Sequence, residues 1–163
     1  FNLSHSRSGW LLAVTAVDPL GVDLELPREV PNAARLAERV FSAAERAALA
    51  EALAVSPAQR DAVFLECWTR KEAALKALGD GFTLGAASLH VGVRSGIDAE
   101  VNGAEVDGAE VDEASGVLSH PRHPSRPFRI SSIELPWPAH AACAHAPQIT
   151  QVDCYWLNGA AAA

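Results

Sequence analysis

The sequence contains no Met, one Tyr and three Cys among its 163 residues. Cys67, Cys143 and Cys154 are widely spaced and odd in number, which excludes a disulfide framework and a zinc knuckle. A reducing, cytoplasmic setting is expected. No apolar run reaches the roughly 18 residues of a spanning helix, so no membrane partner is expected. No charged segment leads into an apolar core in the manner of a signal peptide. Basic residues are scarce too: 13 Lys and Arg stand against 20 Asp and Glu, a net charge of −7. That excludes a broad basic face for nucleic acid and leaves at most a local basic cleft. A chain that opens on Phe1 and lacks Met is expected to be a cut, processed or excised segment.

What is present is globular. Hydrophobic residues make up 49% and charged residues 20%, enough apolar content to rule out disorder. The length predicts a single domain over 1–163 that folds without staples. Leu11–Val17 reads as a buried strand, and Val22–Leu26 as its hairpin partner across the turn Asp18-Pro19-Leu20-Gly21. Asn32 is placed to cap a helix through Arg39. Ser42-Ala43-Ala44-Glu45 is a capping box for a second helix through Ala54. Ser56-Pro57 opens a long helix that ends at Leu78, before Gly79-Asp80-Gly81. Ser88–Arg94, Phe128–Leu135, Ala139–Ala146 and an edge segment Val152–Leu157 read as strands, and 99–127 as either a hairpin with a long tip or, the favoured reading, a long loop or insertion. The fold class is α+β, an antiparallel sheet with a long helix packed on it.

Three groups of residues carry chemistry. Asp23 and Glu25 lie two apart on a strand and so share a face, opposite Val22, Leu24 and Leu26. At about 7 Å and an effective dielectric near 20, their charges repel by about 2 kcal/mol. They are either a solvated strand face or a site for a hard cation such as Mg²⁺. On the long helix, Phe64, Trp68, Glu72 and Lys76 recur every four residues and form one stripe. Glu72 and Lys76 are either a surface pair worth a few tenths of a kcal/mol or the edge of a cleft that the aromatic stripe leads into. Arg70 and Lys71 flank it with positive charge. The opening Phe1-Asn2-Leu3-Ser4-His5-Ser6 sets two hydroxyls around an imidazole, which is either structural or a phosphate-binding group. His120-x-x-His123, His140, His145 and Cys67 read as structural residues.

Together, Phe1-Asn-Leu-Ser-His-Ser6, Gly21-Val-Asp-Leu-Glu25 and Trp68-Thr-Arg-Lys-Glu-Ala-Ala-Leu-Lys76 resemble the Sfp-type 4′-phosphopantetheinyl transferases in content and order. Arg39-Val-Phe-Ser-Ala-Ala-Glu45 resembles the family's linking segment. The resemblance is close from Phe1 to about Gly85 and looser beyond. It implies a phosphopantetheinyl transferase-like half-domain that moves 4′-phosphopantetheine from coenzyme A to a serine of an acyl or peptidyl carrier protein. It further implies Asp23, Glu25 and Glu72 as Mg²⁺ carboxylates, and Glu72 and Lys76 as the catalytic pair. Ser4, His5, Lys71 and Lys76 would hold coenzyme A. Members are usually two similar halves in one chain, and this sequence begins where the second half becomes recognisable. A homo-oligomer, or pairing with an N-terminal half, is therefore expected. The competing classes are a non-catalytic docking domain of a larger synthase and a Mg²⁺–nucleotide binding protein.

Overall fold

The computed structural model describes residues 1–79, 81, 85–93, 111–112, 117–120, 123–149 and 154–158. Chain order is β1 (Asn2–Ser6), β2 (Gly9–Ala13), β3 (Leu20–Glu25), α1 (Ala33–Val40), α2 (Ala43–Val55), α3 (Pro57–Leu78), a 3₁₀ turn (Ala86–Ser88), β4 (Val111–Asp112), β5 (Val117–His120), β6 (His123–Ser132), β7 (His140–His145) and β8 (Cys154–Asn158). The strands form two antiparallel sheets, β3-β7-β6-β5-β4 and β1-β2-β8. The α+β reading holds.

Local chemistry accounts for the helices. Ser42 Oγ accepts from Glu45 N at 3.3 Å, and Ser42 N donates to Glu45 Oε2 at 2.7 Å, which closes the capping box of α2. Ser56 caps α3, Pro57 fills its first position, and Gly79 ends it at a left-handed φ of 83°. Asn32 makes no side-chain cap; α1 starts from a turn in which Ala33 N donates to Val30 O at 3.0 Å.

Four expectations are corrected. The apolar run Leu11–Val17 stops being a strand at Ala13, because Val14 and Val17 are exposed. β2 and β3 are not hairpin partners: β2 pairs with β1 and β8, and β3 pairs with β7. The segment read as a loop over 99–127 contains, in its described part, β4, β5 and the start of β6. Ser88–Arg94 is not a strand in its described part: Ser88 closes the 3₁₀ turn and 89–93 carry no regular structure, while Arg94 lies outside the described residues. β8 sits at a sheet edge as expected, while Val152 lies outside the described residues.

Both faces of β3 are covered. Leu20, Val22 and Leu24 pack with Leu11 and Ala13 of β2 and with Ala141 and Cys143 of β7. Gly21, Asp23 and Glu25 therefore turn toward α3, which has Ala73, Ala74 and Ala77 in the larger core. At Gly21 a Cβ would stand 2.5 Å from Ala77 N and 2.8 Å from Lys76 Cβ, directly against the Ala73 carbonyl oxygen. Helix backbone cannot yield as a side-chain tip can. Gly21→Ala should cost about 3 kcal/mol or more, near or above the usual range for overpacking. Chemical denaturation of the purified variant checks this; a parent-like midpoint would refute the close approach.

Candidate active site

The approach of α3 to β3 sets Lys76 over the strand. Its Nζ donates to Asp23 Oδ1 at 2.7 Å and to Val22 O at 3.0 Å. Lys76 thus pairs with a carboxylate on another element. Asp23 is buried, and its Oδ1 also accepts from Ser4 Oγ at 2.8 Å. Burial pushes the Asp23 carboxyl above its ordinary range, with a further push from Glu25; Lys76 and Ser4 pull it down without prevailing. Glu25, two residues on, accepts from Ser6 Oγ at 3.1 Å through Oε2 and meets Arg28 at 3.4 Å through Oε1.

Glu72 lies one turn before Lys76. Its carboxyl is also raised, first by burial and then by the charges of Asp23 and Glu25, against the pull of Lys76. Glu72 therefore feels both strand carboxylates, which excludes the reading of Asp23 and Glu25 as an isolated solvated face. Three carboxylates meet one ammonium and the exposed Arg28 guanidinium, which leaves one negative charge in excess, and an all-oxygen anionic set is the chemistry a hard divalent cation requires. The donor set fits Mg²⁺. As they stand the three do not converge, and no group of three His, Cys, Asp or Glu among the described residues is close enough to hold an ion. Lys76 and Ser4 occupy Asp23 Oδ1 instead.

The other expected site residues are placed differently. His5 is exposed and stacks on Trp10, with ring centroids 4.8 Å apart. Lys71 belongs to the core rather than to a coenzyme A surface. It is fully buried, paired with Glu45 Oε2 at 2.9 Å, and donates to Ala86 O at 2.8 Å and to Leu89 O. Arg70 also turns inward, donating to Val91 O at 2.9 Å and Ser132 Oγ at 3.3 Å. Neither flanking cation joins the carboxylates, because the segment 86–91 offers backbone carbonyls that need donors.

One feature went unread in the sequence: the strand character of β1, which places Asn2, Ser4 and Ser6 along β3; the period-two spacing of small polar residues was the available signal. His140, read as structural, lies opposite Glu25 in the β3–β7 register and lines a cleft of about 130 Å³ with Glu66, Thr69, Arg70 and Ser132. Burial lowers its pKa, against the pull of Glu66 and Glu25. A larger cavity of about 450 Å³ lies past the end of α3 between Leu78, Arg126 and Phe128; none of the three carboxylates lines it. Burial pushes the Cys67 thiol well up, so it is no nucleophile at neutral pH.

The raised Glu72 carboxyl yields a pH test. Its ionised form is disfavoured in the folded state, so the native protein loses stability as pH rises through the raised value. Glu72→Gln should melt at a higher temperature than the parent at pH 7 to 8. The gain should shrink on acidification and vanish below about pH 4, where glutamate is protonated folded or unfolded. Melting curves of both proteins across that range, recorded without added metal, give the answer; an unchanged or lowered melting temperature at pH 7 would contradict the cluster.

Comparison with known proteins adds an independent line. A family model described as the 4′-phosphopantetheinyl transferase superfamily matches residues 19–123. The chain is 41% identical over 81 residues to the 4′-phosphopantetheinyl transferase HetI of Nostoc sp., covering 50% of this chain and 33% of that protein. It is 38% identical over 89 residues to the 4′-phosphopantetheinyl transferase psf-1 of Bacillus pumilus, covering 54% of this chain and 35% of that protein. It is 42% identical over 79 residues to the 4′-phosphopantetheinyl transferase AcpT of Escherichia coli K12, covering 48% of this chain and 39% of that protein. The matched segments thus span well under half the length of these curated relatives.

Proposed function

The chain belongs to the 4′-phosphopantetheinyl transferase superfamily, and from that premise we propose that it transfers 4′-phosphopantetheine from coenzyme A to a serine hydroxyl of an acyl or peptidyl carrier protein, releasing 3′,5′-ADP. The observation that carries this reading is the arrangement on α3 and β3. Lys76 reaches Asp23 at 2.7 Å, and Glu72, one turn away, feels Asp23 and Glu25. Asp23, Glu25 and Glu72 would hold Mg²⁺, which when bound supplies positive charge to the pyrophosphate oxygens.

The residues do the rest. Lys76 turns from Asp23 toward the pyrophosphate and stabilises the charge that gathers on the leaving 3′,5′-ADP. The serine oxygen forms a bond to the phosphorus bearing pantetheine as the P–O–P bridge breaks. The serine proton passes to a carboxylate of the cluster. His5, exposed beside Trp10, serves the coenzyme A phosphates from the rim. The buried Cys67 thiol, which is in no disulfide, supports a reducing, cytoplasmic setting. Among the described residues no helix is long and apolar enough to cross a membrane.

Intact-mass measurement on an apo carrier protein with coenzyme A and Mg²⁺ tests the transfer. Asp23→Ala and Glu72→Ala should abolish it in folded protein. Lys76→Ala should slow it at least tenfold, about 1.4 kcal/mol of transition-state stabilisation. Full activity in any of these variants would contradict the assignment, and a folded parent that binds coenzyme A without transfer would favour the docking-domain reading.

We further propose that the protein works as a homo-oligomer or beside an N-terminal half. The support is the outer face of β1 and β2, where Phe1, Leu3, Trp10, Leu12 and Val14 are exposed together. Apolar patches of this kind seldom stay bare on a soluble monomer. Sedimentation across a concentration series, run beside the transfer assay, should show association or inactivity of the lone chain. A strictly monomeric and fully active chain would refute the proposal.

A further inference from the structure

β3 is the terminal strand of its sheet, so the backbone N–H groups on its outer edge have no ladder partner. Alternate side chains of β1 take that role. Val22 N donates to Asn2 Oδ1 at 2.9 Å, Leu24 N to Ser4 Oγ at 3.2 Å, and Leu26 N to Ser6 Oγ at 3.2 Å. The match is one of period: side chains on one face of β1 repeat every two residues, as do the outward N–H groups of its neighbour.

The two serines do something more. Ser4 Oγ donates its proton to Asp23 Oδ1 at 2.8 Å, and Ser6 Oγ donates to Glu25 Oε2 at 3.1 Å. A hydroxyl has one proton and two lone pairs, so accepting from an amide leaves the proton for the carboxylate. Each amide fixes a hydroxyl, and each hydroxyl fixes a carboxylate. The remaining Glu25 oxygen, Oε1, meets Arg28 at 3.4 Å in an exposed, long contact that a divalent cation can displace.

We infer that Ser6 is a positioning residue whose hydroxyl, locked by the Leu26 amide, sets the Glu25 carboxylate for the divalent cation, as Ser4 does for Asp23. The inference rests on the reading that Asp23, Glu25 and Glu72 hold that cation. It gives the hydroxyls of the opening motif a role distinct from phosphate contact: the Ser4 proton faces Asp23, and its amide partner is inside the fold. Outer-shell groups of this kind commonly alter metal affinity by about 10- to 100-fold.

The test uses the full native protein and measures Mn²⁺ binding in the presence of coenzyme A by the electron paramagnetic resonance of free Mn²⁺. Ser6 is chosen because it is only half-buried, whereas Ser4 is buried. Ser6→Ala should weaken Mn²⁺ about tenfold, the low end of that range for a partly exposed group, with cooperative unfolding retained. Ser6→Thr keeps the hydroxyl and should bind within about threefold of the parent, while Ser6→Cys, a weak donor, should follow Ser6→Ala and serves if the alanine variant does not fold. Parent-like Mn²⁺ affinity in the folded alanine or cysteine variant overturns the inference. So does an equal loss in Ser6→Thr, which would assign the effect to packing. A parent that binds no Mn²⁺ with coenzyme A overturns the metal reading itself, and the inference with it.

Discussion

The structure depends on how closely α3 can lie against β3. A strand and a helix normally keep a side chain's thickness between them. At Gly21 that thickness is absent, and the helix backbone at Ala73 and Ala77 takes the place a Cβ would occupy. Small residues continue on the neighbouring strand, where Ala144 and Ala142 pair with Gly21 and Asp23. The helix is thereby brought near enough for Lys76 to reach a carboxylate on the strand without leaving its own turn. A larger residue at position 21 would separate Lys76 from Asp23 before it altered anything else in the site.

That proximity has an electrostatic consequence. Asp23 sits in a buried position with an ammonium 2.7 Å away, yet its carboxyl is harder to ionise than a free one. Desolvation outweighs a single good ion pair, as it commonly does when charges leave water. Glu72 is raised for the same first reason and then by two like charges. Arg70 and Lys71 are nearby in sequence but turn into the core, and Arg28 meets only the outer oxygen of Glu25. The remaining negative charge is a cost that a bound cation would relieve.

Much of this was legible in the sequence, and the failures have physical causes. The ends of α3 and the capping box of α2 followed from Ser56-Pro57, Gly79 and Ser42-x-x-Glu45, because caps are local chemistry. The shared face of Asp23 and Glu25 followed from strand periodicity. Their burial did not, since periodicity cannot say that a glycine two residues earlier admits a helix. The run Leu11–Val17 misled because its apolar residues divide between a buried face and an exposed one, with Leu11 and Ala13 inside and Leu12 and Val14 outside. β1 was missed because Asn, Ser and His are poor strand formers; its pairing with β2 and its side-chain bonds to β3 are tertiary facts.

The two lysines of α3 show how one helix separates structure from chemistry. An ammonium has three donors. Lys71 has three acceptors, the Glu45 carboxylate and the carbonyls of Ala86 and Leu89, and no exposure to water. Removing its charge would strand that of Glu45, whose other oxygen holds the Val91 amide, so Lys71 is fixed in place. Lys76 has two acceptors, Val22 O and Asp23 Oδ1, and its side chain is 28% exposed. Its ammonium can swing into water, but buried Asp23 then needs another cation in its place, because a buried carboxylate left alone is costly. Of these two cations on α3, Lys76 is the one free to turn toward an incoming anion, and it stands one turn from the carboxylates that would hold the metal.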